Sequence, residues 1–272
     1  MTKRFIILID FSEYSNNLIK YACDWNKKLN AEILLLHKTI VLAPALAEEE
    51  VRQQIAQQAN EEALQKLKSL ALELIPHTFR VSYSVSENHL QLVLSKLLAE
   101  PFNNLIFVGL KGTGLLKKIF LGSVAIQVID NTNNIVVAMP KEIETFSHKK
   151  IFVAVTEKHP LNILELNNLL RFIDNKNTNI TFFYLAKPND KKISIEKILR
   201  ELSEMFADKF NTDFAIYEGH NSFDDIKEVI NNKIDEMLIV QKGSRLLTDQ
   251  FFRKFLINEL IYDGQTPLIV LP

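Results

Sequence analysis

Residues 105–140 read LIFVGLKGTGLLKKIFLGSVAIQVIDNTNNIVVAMP, and this stretch decides the fold. It holds two short apolar runs, 105–109 and 134–140, with a glycine-spaced segment and an amphipathic stretch at 124–130 between them. Apolar runs without alternation are typical of strands buried on both faces, and a helix between two such strands indicates a parallel pair. The stretch therefore predicts a strand, a glycine-rich loop, a helix and a parallel strand.

The same alternation of short and long segments runs through the preceding residues. FIILI (5–9) and EILLLH (32–37) are continuous apolar runs, and FRVSYSV (79–85) alternates. Strands separated by helices predict an α/β fold with a doubly wound parallel sheet. The helical patterns that separate the strands cover residues 12–29, 48–75 and 90–100.

The pattern then starts again in the second half of the chain. KKIFVAV (149–155) repeats KRFIILI (3–9), and residues 237–272 align with 105–140 without a gap. Two copies of one α/β unit are the simplest account, with the extra length of the first copy placed after His37. We therefore predict two domains, residues 1–142 and 148–272.

Composition and charge exclude several classes of protein. The chain has 272 residues, is 47% apolar and carries a formal net charge of -1, so neither disorder nor nucleic-acid binding is expected. One cysteine cannot form an internal disulfide, which favours a reducing, cytoplasmic compartment. The apolar run near the N-terminus ends at Asp10 and is too short for a signal peptide or a membrane span.

Glycine placement is the sharpest local feature. Four of the seven glycines lie together, at Gly109, Gly112, Gly114 and Gly122, between a strand and a helix. Glycine permits positive φ and close backbone approach, and free N–H groups at a helix start favour an anion, with the Ser123 hydroxyl as a further donor. The segment predicts a phosphate cradle, although glycines that only make tight turns remain an alternative. It matches neither GxxxxGK[ST] nor GxGxxG.

Asp10 is expected at the same place, because it follows the first strand. In a sheet of order 3-2-1-4-5, strands 1 and 4 are neighbours at the switch point where ligands bind, so Asp10 should lie beside Gly109. A carboxylate there suits a ribose or another hydroxylated group. The alternative is a local role, either as the N-cap of the following helix or as the partner of a nearby backbone amide.

These residues resemble a known family. IDFSEYSNNLIKYACDWNKKLNAEILLLH (9–37) is similar to the opening of a universal stress protein domain. The glycines and serine at 109–123 match that family's ATP-binding pattern, Gly-x2-Gly-x9-Gly-Ser/Thr. The resemblance covers 3–140 well, whereas 149–272 match only in strand pattern and length. It implies a tandem universal stress protein with two doubly wound, parallel five-stranded sheets of order 3-2-1-4-5, Rossmann-like and similar to adenine nucleotide alpha hydrolases.

The resemblance implies a ligand and its contacts. The ligand would be ATP or another adenine nucleotide, with or without Mg²⁺. The seven implied contacts are Asp10, the backbone of Ile9 and Gly109 at the ribose, the main chain of Lys38 at the adenine edge, and Gly112, Gly122 and Ser123 at the phosphates.

The second copy lacks these residues, and we expect it to bind no nucleotide. Phe255 cannot donate a hydrogen bond to a phosphate oxygen, and the long side chain of Lys254 obstructs the approach that glycine permits. The aligned pairs are Asp10 and Thr156, Gly109 and Gln241, Gly112 and Ser244, Gly122 and Lys254, and Ser123 and Phe255.

Other residues have structural explanations. We expect His37 to be a packed histidine with satisfied nitrogens and Cys23 to be a buried, inert thiol. No HxxxH or HExxH spacing indicates a metal site. The phenylalanines at 182, 183, 251, 252 and 255 are interpreted as core or domain interface.

Three functional hypotheses follow. The first is a regulatory protein that binds ATP in its first domain and acts in stress response through conformation or protein partners. The second is a slow Mg²⁺-dependent ATPase, although no activated nucleophile or carboxylate pair is visible in the sequence. The third is a scaffold that no longer binds nucleotide.

Assembly can also be predicted. Each copy ends in an apolar strand, IVVAMP (135–140) and PLIVLP (267–272), which the order 3-2-1-4-5 places at a sheet edge. Apolar edges invite pairing, and the family resemblance implies that such domains dimerise through this strand. We therefore expect the two copies to pair antiparallel within one chain, as an intramolecular pseudo-dimer. A further homodimer between chains stays open.

Overall fold

The computed structural model describes residues 1–42, 44, 46–109, 123–140, 143–157, 159–174, 177–186, 192–218, 237–243 and 266–272. Strands and helices alternate over residues 2–139 and again over residues 150–218, as predicted. The strands are β1 (Thr2–Leu8), β2 (Glu32–Lys38), β3 (Val81–Ser86), β4 (Phe102–Gly109), β5 (Val136–Met139), β6 (Lys150–Ala154), β7 (Asn179–Ala186), β8 (Asn211–Glu218), β9 (Met237–Gln241) and β10 (Leu268–Leu271). The helices are α1 (Glu13–Asn26), α2 (Glu49–Leu74), α3 (Leu90–Leu98), α4 (Ser123–Asn131), α5 (Ile163–Leu170) and α6 (Lys192–Phe206).

All ten of these strands form one sheet, in the order β3-β2-β1-β4-β5-β10-β9-β6-β7-β8. Each half has the predicted order 3-2-1-4-5, and the second half runs in reverse because the two last strands meet. Neighbours within each half pair in parallel. The two predicted five-stranded sheets are therefore present as the halves of one continuous sheet.

Strands β5 and β10 join the halves by antiparallel pairing. Val137 lies opposite Ile269, and the flanking pairs are Ala138 with Leu268 and Val136 with Val270. Each of these side chains is at least 98% buried. The predicted pairing of the two final strands is thus confirmed. It removes both apolar edges from water, where an unpaired edge would otherwise recruit another chain.

Helices cover both faces of the first half. Alternate residues of β1 point to opposite layers: Phe5 and Ile7 pack with apolar residues of α1 and α2, and Ile6 packs with those of α3 and α4. Because side chains alternate along a strand, burial of both sets explains why β1 has an uninterrupted apolar sequence. Helix α2 has 26 residues, whereas α6, the corresponding helix of the second half, has 15. The extra length of the first half therefore includes part of α2.

A second contact joins the halves beside the sheet. Trp25, near the end of α1, donates its indole N–H to the carbonyl of Phe172, with 2.7 Å between nitrogen and oxygen. The Trp25 ring stacks on Phe146, with centroids 4.3 Å apart and planes 10° apart. The indole N–H therefore has a hydrogen-bond acceptor, and the apolar ring is packed against a second aromatic ring. This contact fixes the C-terminal end of α1 against the second half.

Cys23 allows a test of burial in α1. The side chain is 6% exposed, and burial, followed by the nearby Asp24 carboxylate, raises the pKa of the thiol to about 12. Because the thiolate is the reactive form, a disulfide reagent at pH 8 should leave the native chain unlabelled and label it stoichiometrically in denaturant. Rapid labelling of the native chain at pH 8 would contradict this prediction.

Candidate functional site

A cavity of about 630 Å³ lies at the carboxyl ends of β1, β2 and β4. This is the switch point of a doubly wound sheet, where successive crossovers leave in opposite directions and open a crevice. Its walls combine apolar side chains from the strands with polar groups from the segments that follow them. The lining residues used below are Ile9, Asp10, Phe11, Leu18, His37, Lys38, Glu62, Lys66 and Gly109.

Four of the seven predicted contacts line this one cavity. Ile9 and Asp10 follow β1, Lys38 ends β2, and Gly109 ends β4. They come together because parallel strands present their carboxyl ends at the same sheet edge. Ser123 is the first residue of α4, whose first turn also lines the cavity, whereas Gly112 and Gly122 lie outside the described residues.

The Asp10 carboxylate is held by local hydrogen bonds. Its Oδ1 accepts from the Ser12 backbone N–H at 3.0 Å, from the Ser12 hydroxyl at 2.5 Å and from the Ser15 hydroxyl at 2.9 Å. The alternative to a ligand contact was a local role for Asp10, as N-cap or as partner of a nearby amide. Asp10 does pair with the Ser12 amide, but the N-cap of α1 is Ser12. Its side chain is exposed and fixed in orientation beside the cavity.

Phe11 has an unusual backbone at the same wall. Its φ is +58°, a left-handed conformation that costs a non-glycine residue about 1–2 kcal/mol. The ring packs against His37, with centroids 4.4 Å apart and planes 44° apart. His37 in turn places Nδ1 2.7 Å from the carbonyl oxygen of Ile9. Satisfied histidine nitrogens were predicted, and this is confirmed for Nδ1 only, since Nε2 has no hydrogen-bond partner among the described residues.

Packing of the described residues does not require glycine at position 109. A Cβ built there would meet the Leu18 side chain at 3.9 Å, which is ordinary van der Waals contact, and no other described atom within 4 Å. The φ of Gly109 is also outside the left-handed region. Glycine permits close approach to the backbone, and Gly109 lines the cavity.

The corresponding edge of the second half is occupied by its own side chains. Gln241, aligned with Gly109, accepts from the Asn162 N–H at 3.0 Å and donates to the Pro272 carbonyl. Thr156, aligned with Asp10, donates its hydroxyl to the carbonyl of His159 at 3.2 Å. Both groups are engaged within the chain. The aligned residues Ser244, Lys254 and Phe255 lie outside the described residues.

Charge around the cavity is mixed. Lys38 and Lys66 contribute positive charge, and Asp10 and Glu62 contribute negative charge, around a floor of apolar strand residues. An apolar crevice with a few polar groups is the usual form of a small-molecule site. Glu62 and Lys66 belong to α2 and were missed by the sequence analysis, because no motif marks them.

Within the described ranges, no group of three or more His, Cys, Asp or Glu side chains could hold a metal ion. Over the same ranges, no helix combines the length and apolar character that crossing a membrane requires.

Comparison with solved structures relates the whole chain to known folds. A universal stress protein from Archaeoglobus fulgidus DSM 4304 aligns with 98% of this chain and 97% of its own, with a TM-score of 0.68 and 16% identity. A putative universal stress protein from Pseudomonas aeruginosa UCBPP-PA14 aligns with 99% and 93%, with a TM-score of 0.58 and 14% identity. The cytoplasmic domain of a prokaryotic cation chloride cotransporter aligns with 99% of this chain and 95% of its own, with a TM-score of 0.53 and 11% identity. At these identities the likeness shows the fold alone.

Sequence comparison identifies the family. No curated protein matches the chain. The model of the Universal stress protein family matches residues 1–140, which is more than half of the 272 residues. The chain therefore belongs to the universal stress protein family.

Proposed function

We propose that this universal stress protein binds ATP, or another adenine nucleotide, in the cavity of its first half and acts through conformation or protein partners in the cytoplasm. The observation that carries the proposal is Gly109. It lines the cavity at the switch point, yet neither its φ nor the packing of described residues requires glycine. A residue without a structural need for glycine is explained by a ligand that approaches the backbone closely.

The cavity offers a separate environment for each part of a nucleotide. The exposed carboxylate of Asp10, oriented by Ser12 and Ser15, suits a ribose hydroxyl. The main chain of Lys38, at the end of β2, suits the edge of an adenine ring. The start of α4 presents free N–H groups to phosphates, and we assign Gly112, Gly122 and Ser123 to the same end of the ligand.

We further propose that the second half is a universal stress protein domain without nucleotide. This is supported by Gln241, which aligns with Gly109. Its side-chain amide hydrogen-bonds with the Asn162 N–H and the Pro272 carbonyl. A ligand there would have to displace both hydrogen bonds and a side chain. Occupancy is therefore expected to be asymmetric, with one nucleotide in each chain.

Calorimetric titration of the full chain with ATP tests the proposal. We expect one site per chain, and a parallel turnover assay should detect no ATP hydrolysis above the solution rate. Gly122→Lys, which introduces the residue of the second half, should abolish binding while the chain keeps its circular dichroism spectrum. Two nucleotides per chain, no nucleotide, or unchanged binding by Gly122→Lys would contradict the assignment. Mass spectrometry of nucleotide released from the purified protein identifies the ligand directly.

A further inference from the structure

The protonation of His37 can be read from its contacts. Nδ1 lies 2.7 Å from the carbonyl oxygen of Ile9, and a carbonyl oxygen can only accept. Nδ1 must therefore carry the proton. In the neutral imidazole the other nitrogen, Nε2, then carries a lone pair and acts as an acceptor.

The residue that carries this acceptor lines the cavity. His37 is half-buried at the end of β2 and lines the cavity, and Nε2 has no hydrogen-bond partner among the described residues. The Phe11 ring packs against the imidazole, with 4.4 Å between the ring centroids, and the Phe11 backbone is in the left-handed region. Strained residues of this kind cluster at ligand sites, where the strain holds another group in place. The imidazole is thus held by the Ile9 carbonyl at Nδ1 and by a tilted contact with the Phe11 ring.

We propose that Nε2 of His37 accepts a hydrogen bond from the bound nucleotide and makes His37 a specificity-determining residue, with Phe11 as its positioning residue. This inference rests on the proposed adenine-nucleotide site. The chemistry that Nε2 recognises is a neutral N–H or O–H donor, either the exocyclic amino group of adenine or a ribose hydroxyl. A ligand with a carbonyl oxygen or a hydrogen atom in that place leaves the lone pair unpaired, and it binds more weakly.

Two matched variants separate the two ring nitrogens. In His37→Asn, the short amide keeps a donor near the Nδ1 position, for Ile9, and loses the acceptor at Nε2. In His37→Gln, the longer amide carries an oxygen near the Nε2 position. Calorimetry on the full chain would compare ATP with three analogues: inosine triphosphate, which lacks the amino group, and the 2′-deoxy and 3′-deoxy forms of ATP, which each lack one hydroxyl.

The expected result is a loss confined to one ligand group. Wild type should bind ATP about tenfold more tightly than the one analogue that lacks the recognised donor, a ratio typical of a single hydrogen bond. His37→Asn should bind ATP and that analogue equally, and His37→Gln should restore the preference. The analogue that wild type binds more weakly than ATP identifies the donor, either the amino group or one of the two hydroxyls.

A measurement on wild type keeps the inference falsifiable if a variant fails to fold. In the ¹⁵N spectrum, the resonance of the unprotonated ring nitrogen of His37 should shift on addition of ATP. An unmoved resonance, or equal ATP affinity of wild type and a folded His37→Asn, would overturn this inference alone. If wild type binds no adenine nucleotide by calorimetry, the proposed function falls and this inference falls with it.

Discussion

Gly109→Gln is expected to lower the affinity for ATP at least a hundredfold while the fold is kept. The change introduces the residue that the second half carries at the aligned position. There, the Gln241 side chain reaches Asn162 and Pro272 and occupies the carboxyl edge of its strand. At position 109 the same side chain would enter the cavity that we assign to the nucleotide and occupy space that the ligand needs. Calorimetry with ATP measures the loss, and circular dichroism checks the fold.

Gly109→Ala is the matched control for this prediction. The added Cβ would meet Leu18 at the ordinary contact distance of 3.9 Å, so the free energy of unfolding should change by less than about 1 kcal/mol. Its effect on ATP affinity should be smaller than that of glutamine, because one methyl group fills less of the cavity. Normal ATP binding by a folded Gly109→Gln would refute the site assignment.

Residues 1–142 expressed alone are expected to form a dimer. This fragment contains the whole region that matches the family model, 1–140, and ends just after β5. In the full chain β5 pairs with β10, with Val137 opposite Ile269 and both side chains fully buried. Without β10 the strand exposes unpaired N–H and C=O groups and apolar side chains, which recruit a second copy. Light scattering should give twice the monomer mass at micromolar concentration.

Mixing the fragment with residues 148–272 is the control. Because the β5–β10 pair and the Trp25–Phe172 hydrogen bond both form between the halves, the two fragments should form a one-to-one complex in place of the homodimer. Covering the edge in this way should also suppress aggregation of the first fragment. A soluble 1–142 fragment that stays strictly monomeric would show that the freed edge does not drive association.

The sequence predicted the secondary structure and the strand order, whereas contacts within the cavity required the tertiary structure. Strand and helix positions were predictable because the strands are buried on both faces and therefore appear as apolar runs, as in β1, β2 and β4. The repeat at 237–272 and the strand order predicted two apolar sheet edges, and the family resemblance implied the antiparallel pairing that the structure shows between them. Asp10 and Gly109 were expected side by side at one sheet edge, and both line the cavity there.

Other parts of the site depend on contacts between distant segments, which apolar periodicity does not encode. The left-handed backbone of Phe11 arises at a residue with no sequence sign of it, and its ring meets His37 only because β1 and β2 pair. The same pairing places the Ile9 carbonyl at Nδ1 of His37 and so decides which nitrogen is an acceptor. Composition, repeats and motifs are local properties of the chain and determined the fold and the family. Hydrogen-bond roles within the cavity depend on three-dimensional proximity, and only the tertiary structure decided them.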